Sequence, residues 1–369
     1  MEISVRDILH FFTAFLLFLF SVFLLTLKKG KRLSNIILAV FLLSKAIGII
    51  NYIVLRFEIE NPHIHFILLP FAFLYGPSIY FYTKSLAYRD FIFKKMHFLH
   101  LIPFFLVGVY FTLIYHTQNT ATKVEILTDL RESLPIQAII IISLLHMLIF
   151  GYLSASFHIL MNYRRQLKSF FSCTEKINLS WLNYVLVGYS VIWIIDVSGF
   201  ILGRLSIPTT SLDSLTFILI FVFANIIVFK GLKQPEIFNG IEEKQKYRYS
   251  RLTQPDKDRH IKQLQSHMLD SKLYLNPSLT INELSRNISI SPRDLSQIIN
   301  ESLGMNFFDF VNSYRIEEAK RLLTDSSNHN KNILEILLDA GFNTKSVFNR
   351  VFKKCTGMTP SEYKKSHPS

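Results

Sequence analysis

From residue 1 to residue 229, long apolar runs alternate with short charged loops; from Lys230 on, the chain is polar and apolar residues return at helical spacing. A helix needs about 20 mostly apolar residues to cross the hydrocarbon core of a bilayer. Seven runs reach that length, over residues 8–27, 33–55, 64–83, 97–115, 136–160, 181–203 and 212–229. The third contains Pro70, Gly76 and Pro77. Proline removes a helical N–H, so a kink is expected there. The pattern predicts an all-α chain: a seven-helix transmembrane bundle over 1–231, a charged linker over 232–254 and a helical domain over 255–369.

Composition strengthens the membrane reading. Half of the 369 residues are hydrophobic and 34 are Phe, too apolar a balance for an ordinary soluble protein. Basic residues set the orientation, because Lys and Arg collect in cytoplasmic loops. The odd loops carry Lys28, Lys29, Lys31 and Arg32, then Lys84, Arg89, Lys94 and Lys95, then Arg164, Arg165, Lys168 and Lys176. The even loops carry only Arg56, Lys123, Arg131 and Arg204. The N-terminus is therefore expected outside and the C-terminal domain in the cytoplasm. The first run lacks a small-residue cleavage site, so it is expected to stay as a span. Both cysteines, Cys173 and Cys355, fall on the cytoplasmic side, where no disulfide is expected.

Two units of similar design follow. Over 279–304, Thr280 and Glu283 are placed to cap a short helix with Ile281 and Leu284 inward. Ser291 then caps a second helix that opens with Pro292 and buries Leu295, Ile298 and Ile299. Arg293, Asp294, Ser296, Gln297 and Asn300 are expected to face out. A long helix over 306–323 leads to the second unit at 333–365. There Gly341 supplies the turn, Phe342 plugs the core, and a helix from Thr344 buries Val347, Phe348, Val351 and Phe352. Asn343, Thr344, Lys345, Ser346, Asn349, Arg350 and Lys353 lie on or beside its outer face, extended by Lys354. Polar and basic groups on such a face can reach base edges in a major groove. Residues 230–369 hold 22 Lys and Arg against 16 Asp and Glu, a net of +6, which favours a phosphate-bearing partner only modestly.

Particular motifs in this half resemble the DNA-binding domain of AraC/XylS-type transcription regulators. They are Gly341-Phe342, then Phe348-Asn349-Arg350-Val351-Phe352-Lys353-Lys354, then Gly357-Met358-Thr359-Pro360-Ser361-Glu362-Tyr363. Tyr314-Arg315-Ile316, Ala319 and Leu322-Leu323 match the family's connecting helix, and the likeness covers about 100 residues. Ile299-Asn300 departs from it, the family often having Phe-Lys there. The resemblance implies double-stranded DNA as partner, with the two recognition helices of one monomer in successive major grooves. The connecting helix spans about 27 Å at 1.5 Å per residue, against about 34 Å between successive grooves on one face. Paired sites would accommodate a homodimer. The first half resembles membrane-bound AraC-type regulators of some bacteria through Leu74-Tyr75-Gly76-Pro77, Tyr80, Tyr82, Lys84, Ser85, His100 and Pro103. That likeness implies a multi-pass protein of the bacterial inner membrane, in contact with lipid and responding to an unknown ligand.

Lys45, His146 and Asp196 lie inside expected spans. Lys45 is about 18 Å and Asp196 about 22 Å from the cytoplasmic ends of their helices, by the helical rise. Opposite charges at similar depth can meet, either as a lock between helices or as part of a ligand or signalling site. His63 with His65, and His97 with His100, lack a third ligand, so no metal site is expected. No phosphate loop, nucleophile elbow or kinase motif occurs, and neither a catalytic residue nor a cofactor is expected. The sequence reads as a membrane-anchored DNA-binding regulator. Alternatives of other classes are a receptor whose C-terminal domain binds a protein partner, and a transporter with a regulatory tail.

Overall fold

The computed structural model describes residues 5–27, 31–56, 61–175, 177–232, 253–328 and 330–367; most of the expected linker lies outside them. Secondary structure among the described residues is helical, apart from bridge positions at Tyr88 and between Phe171 and Thr280. The chain folds as two compact units. The first comprises Met1–Met161 and Leu179–Glu243, the second Asn162–Asn178 and Lys244–Ser369. The second unit thus takes in a segment from the first half of the chain.

The first unit contains α1 (Val5–Thr26), α2 (Arg32–Arg56), α3 (Tyr75–Ala87), α4 (Ile102–Phe111), α5 (Thr120–Glu132), most of α6 (Ile136–Phe170), α7 (Ser180–Arg204) and α8 (Thr210–Leu232). Seven stretches among the described residues are long and apolar enough to cross a membrane, one for each run expected from the sequence. The third is more than kinked. It opens as two 3₁₀ turns, Pro62–Ile64 and Leu69–Leu74, with Phe66 at φ 64° between them, and becomes α-helical only at Tyr75. Pro70 sits in the first turn of the second piece, where its missing N–H costs nothing. The fourth runs from a 3₁₀ turn, Lys95–Leu101, through α4 into a π turn, Thr112–His116.

Between the fourth and fifth apolar runs, residues 120–132 form α5. Asn119 Oδ1 caps it by accepting from Thr122 N at 2.9 Å. Lys123 is 4% exposed, donating to His116 O at 3.0 Å and lying 3.1 Å from His63 Nδ1. Burial of one long cation against a carbonyl and an imidazole ties this helix down. His97 and His100 take different partners: His97 Nδ1 accepts from Lys94 N at 3.1 Å, while His100 Nδ1 lies 2.7 Å from Tyr152 Oη. Lys31 closes the end of α3 by donating to Ser85 O, Tyr88 O and Arg89 O at 2.9, 2.9 and 3.3 Å. These carbonyls have no helical N–H left to accept from. Burial lowers the pKa of this ammonium, and the charge of Asp90 opposes the shift.

Lys45 is buried differently from the expected ion pair. Its Nζ lies 3.7 Å from the Tyr75 ring centroid and 4.8 Å from that of Tyr189, a cation–π seat. Asp196 acts on it through space but forms no ion pair with it within 4 Å. Tyr189 and Asp196 are two helical turns apart on one face of α7. That face is buried at Tyr189 and exposed at Asp196.

In the second unit, α9 (Gln254–Ser271), α10 (Ile281–Asn287) and α11 (Pro292–Ser302) enclose one apolar core, while α13 (Ile333–Asp339), α14 (Lys345–Thr356) and α15 (Pro360–Ser366) enclose another. The helix α12 (Phe307–Thr324) belongs to both. Phe307, Phe310 and Val311 enter the first core; Phe308, Ile316, Ala319, Leu322 and Leu323 enter the second. Caps fix the helix starts. Thr280, Ser291 and Asn306 each accept from a backbone N–H three residues on. Asn332 with Glu335, and Thr359 with Glu362, form reciprocal capping boxes.

Gly341 turns the chain between α13 and α14 at φ +85°, and a Cβ there would stand 2.7 Å from Tyr274 O and 2.8 Å from Leu275 Cα. Both atoms are backbone and cannot rotate away. Gly341→Ala is expected to cost roughly 2 kcal/mol or more, from the left-handed conformation plus the clash. Amide exchange of α13 and α14 in the purified chain measures this; protection equal to that of the wild type would contradict it.

Candidate nucleic-acid interface

Each half of the second unit presents one amphipathic helix whose inner face is locked by its core. In α11, Leu295, Ile298 and Ile299 are buried, and in α14, Val347, Phe348, Val351 and Phe352. The register of the opposite faces follows from these anchors.

On α14 the expected residues are presented much as the periodicity requires. Asn343, Lys345, Ser346, Arg350, Lys353 and Lys354 are exposed and Asn349 is half-buried. Thr344 occupies the cap position without capping, and its Oγ1 is buried and unpartnered. Lys354 stands 3.5 Å from Asp309, so the basic face is partly compensated at its far end.

On α11 the outer face is less open. Arg293 is exposed. Ser296, expected outside, is 4% exposed: it lies next to Leu295 at the margin of the core face and is covered by Asn300, whose Nδ2 donates to Ser296 O at 2.7 Å. Asp294 folds back on the cap, its Oδ2 accepting from Ser291 Oγ at 2.7 Å. Gln297 donates to Glu301 at 3.0 Å, and Glu301 also pairs with Lys257 at 2.8 Å. The hydrogen bonds from Lys257 and Gln297 hold the Glu301 carboxyl below its usual pKa. Much of this face is therefore occupied by its own side chains.

Arg315 holds the two halves in register. Among the described residues it is the largest fully buried side chain, and it sits where α12 passes between the cores. Its Nε donates to Tyr274 O at 2.6 Å and its Nη2 to Asn276 O at 2.8 Å; its Nη1 donates to Asn312 Oδ1 at 3.1 Å. The remaining donors go to the segment 162–178: Nη1 to Ser172 O at 3.2 Å and Nη2 to Ser172 Oγ at 3.1 Å. Burial pushes the guanidinium down to about 10, which leaves it charged at neutral pH, and Cys173 opposes the shift.

The same segment reaches α14. Asn343 Nδ2 lies 3.5 Å from Cys173 Sγ, and Ser346 Oγ donates to Glu175 Oε1 at 2.7 Å. Sequence reasoning placed this stretch in a loop of the membrane half. No periodicity or cap links residues 171–175 to a helix 170 positions away, so nothing in the pattern could have found the contact.

Residues 284–366 match the family model described as a helix-turn-helix domain. Over 98 residues the chain is 37% identical to uncharacterized HTH-type transcriptional regulators of Staphylococcus aureus strains COL and MSSA476. Over 101 residues it is 31% identical to the arabinose operon regulatory protein of Escherichia coli K12. The C-terminal domain is of the AraC helix-turn-helix type. The matched stretch is 27% of this chain, 13% of each staphylococcal relative and 32% of the Escherichia coli protein. The likeness is thus confined to a minor part of each relative, and the chain matches well under two thirds of their length. These relatives point to transcription regulation rather than enzymatic catalysis. No solved structure matches the chain significantly.

In this AraC-type domain Arg315→Ala leaves Tyr274 O and Asn276 O without their buried donor, at roughly 1–3 kcal/mol each. Urea unfolding of the purified chain is expected to show a loss of at least about 2 kcal/mol, within that range. Arg315→Lys should recover little of it, because one ammonium cannot reproduce the planar fork. Full recovery by lysine would show that the charge matters and the geometry does not.

Proposed function

We propose that this chain is a membrane-anchored, sequence-specific DNA-binding transcription regulator of the bacterial inner membrane. Its seven apolar helices would anchor and sense, and its AraC-type domain would bind promoter DNA on the cytoplasmic side. The observation that carries the proposal is α12: one helix builds both cores and so sets two outward-facing helices, α11 and α14, at a fixed separation. With α12 about 27 Å long at 1.5 Å per residue, both helices would meet one face of a duplex, where successive grooves lie about 34 Å apart. Lys345 and Ser346 at the start of α14 are the strongest candidates for base contact, because the first residues of a recognition helix reach deepest into the groove. Arg350 and Lys353, further along, are suited to phosphate. The first unit contributes Arg293 and, in a rearranged form, Gln297 and Asn300.

Duplex binding by the purified chain is expected to weaken steeply with salt, as phosphate contacts release counterions. A folded chain that ignores duplex DNA at low ionic strength would contradict the reading. Selection of binding sites from random duplexes separates the two roles on α14. Lys345→Ala should relax sequence preference, while Arg350→Ala should weaken all sequences alike. The opposite result would mean the helix docks in another orientation.

Membrane anchoring is supported by the seven long apolar stretches and the basic odd loops. The resulting topology puts residue 125 outside and residues 29 and 165 inside. An alkaline phosphatase fusion after Glu125 should be active, and fusions after Lys29 or Arg165 inactive. Activity after Arg165 would overturn the proposed topology.

A further inference from the structure

The end of α6 and the segment that follows it are held by the helix-turn-helix unit as a ligand would be. Its first part is a clamp. Phe170 packs against the first core, Phe171 bridges to Thr280, and Ser172 N and Oγ both donate to Leu279 O, at 3.2 and 2.7 Å. Arg315 closes over Ser172 from the other side through two of its five hydrogen bonds. Lys168 adds a cation–π contact at 5.8 Å from the Phe308 ring centroid. The second part is an arm. Cys173 and Glu175 extend from the clamp to Asn343 and Ser346. Ser346 is the second residue of α14, on the turn that must enter a major groove if α14 reads DNA. A carboxylate at 2.7 Å from its hydroxyl fills a hydrogen-bonding position that a base edge or phosphate would need, and its charge repels the phosphate backbone.

We propose that residues 171–175 are an intramolecular competitor of DNA, clamped on the first helix-turn-helix unit and laid across the start of the second recognition helix, so that α14 binds DNA only when the arm is displaced. The proposal rests on the DNA-binding reading of α14. It adds a partner for the surface formed by Leu279, Thr280, Arg315, Asn343 and Ser346, namely a polar peptide ending in an acid, supplied by the chain itself. Because residue 171 follows α6 directly, the competitor is joined by covalent chain to one of the long apolar helices, which gives a signal a route to the recognition helix.

The test uses the full chain in detergent with Cys355→Ser, so that Cys173 is the remaining native thiol. Asn343→Cys is added, placing a second thiol opposite it. Oxidation should join the two, which reports the contact without any reference to DNA. Binding to a mixed-sequence duplex at low salt should be lost in the oxidised protein and regained on reduction. In a separate variant, Glu175→Gln removes the arm's charge and leaves the clamp intact. It should tighten duplex binding roughly three- to tenfold, the span one exposed charge-assisted hydrogen bond supports. Failure of the disulfide to form would show that the arm does not lie on α14 and would overturn the proposal. So would an oxidised protein that binds DNA as tightly as the reduced one, or a Glu175→Gln affinity equal to that of the wild type. If no form binds DNA, wild type included, the underlying reading fails and the proposal with it, while the disulfide still reports the contact.

Discussion

The AraC-type unit depends on one helix serving two cores. The side chains of α12 alternate their allegiance, Phe307 and Phe310 to one side, Phe308 and Ala319 to the other. At the changeover stands Arg315, a buried cation whose donors are spent on backbone carbonyls and neutral side chains rather than on a carboxylate. A charge taken out of water is tolerable only if its donors are satisfied. That requirement fixes Tyr274, Asn276, Asn312 and Ser172 around it, and through them the turn at Gly341, whose missing side chain admits the Tyr274–Leu275 backbone. The relative placement of α11 and α14, and hence any reading of successive grooves, follows from these few atoms.

This dependence explains what the sequence made legible. Helix positions and inner faces are local properties: caps such as Thr280 and Ser291, the proline at 292, and apolar residues at helical spacing declare themselves within a turn or two. The long apolar runs are equally plain. Outer faces are less so, because periodicity says where a side chain points and not what covers it. Ser296 sits at the edge of the apolar stripe and is covered by Asn300, and Asp294 is recruited by the cap it follows. The irregular entry to α3 needed knowledge of Phe66 in a left-handed conformation, and α5 depends on burying Lys123 beside His63, sixty positions away. Such contacts have no local signature.

Lys45 shows the same limit in the apolar unit. Depth along two helices suggested a partner of opposite charge. The structure seats the ammonium on the faces of Tyr75 and Tyr189 instead, and leaves Asp196 exposed further along the same face of α7. Helical rise fixes height; rotation and packing decide which neighbour is reached.

The central claim is that a chain with seven long apolar helices delivers a double helix-turn-helix to promoters. Chromatin precipitation of the intact protein from its native cells, followed by sequencing, tests it most directly. The account predicts discrete peaks sharing a bipartite motif whose halves lie about 10–10.5 base pairs apart, one turn of the duplex. Recovery of DNA no different from a mock precipitation, with the protein present and folded, would contradict it.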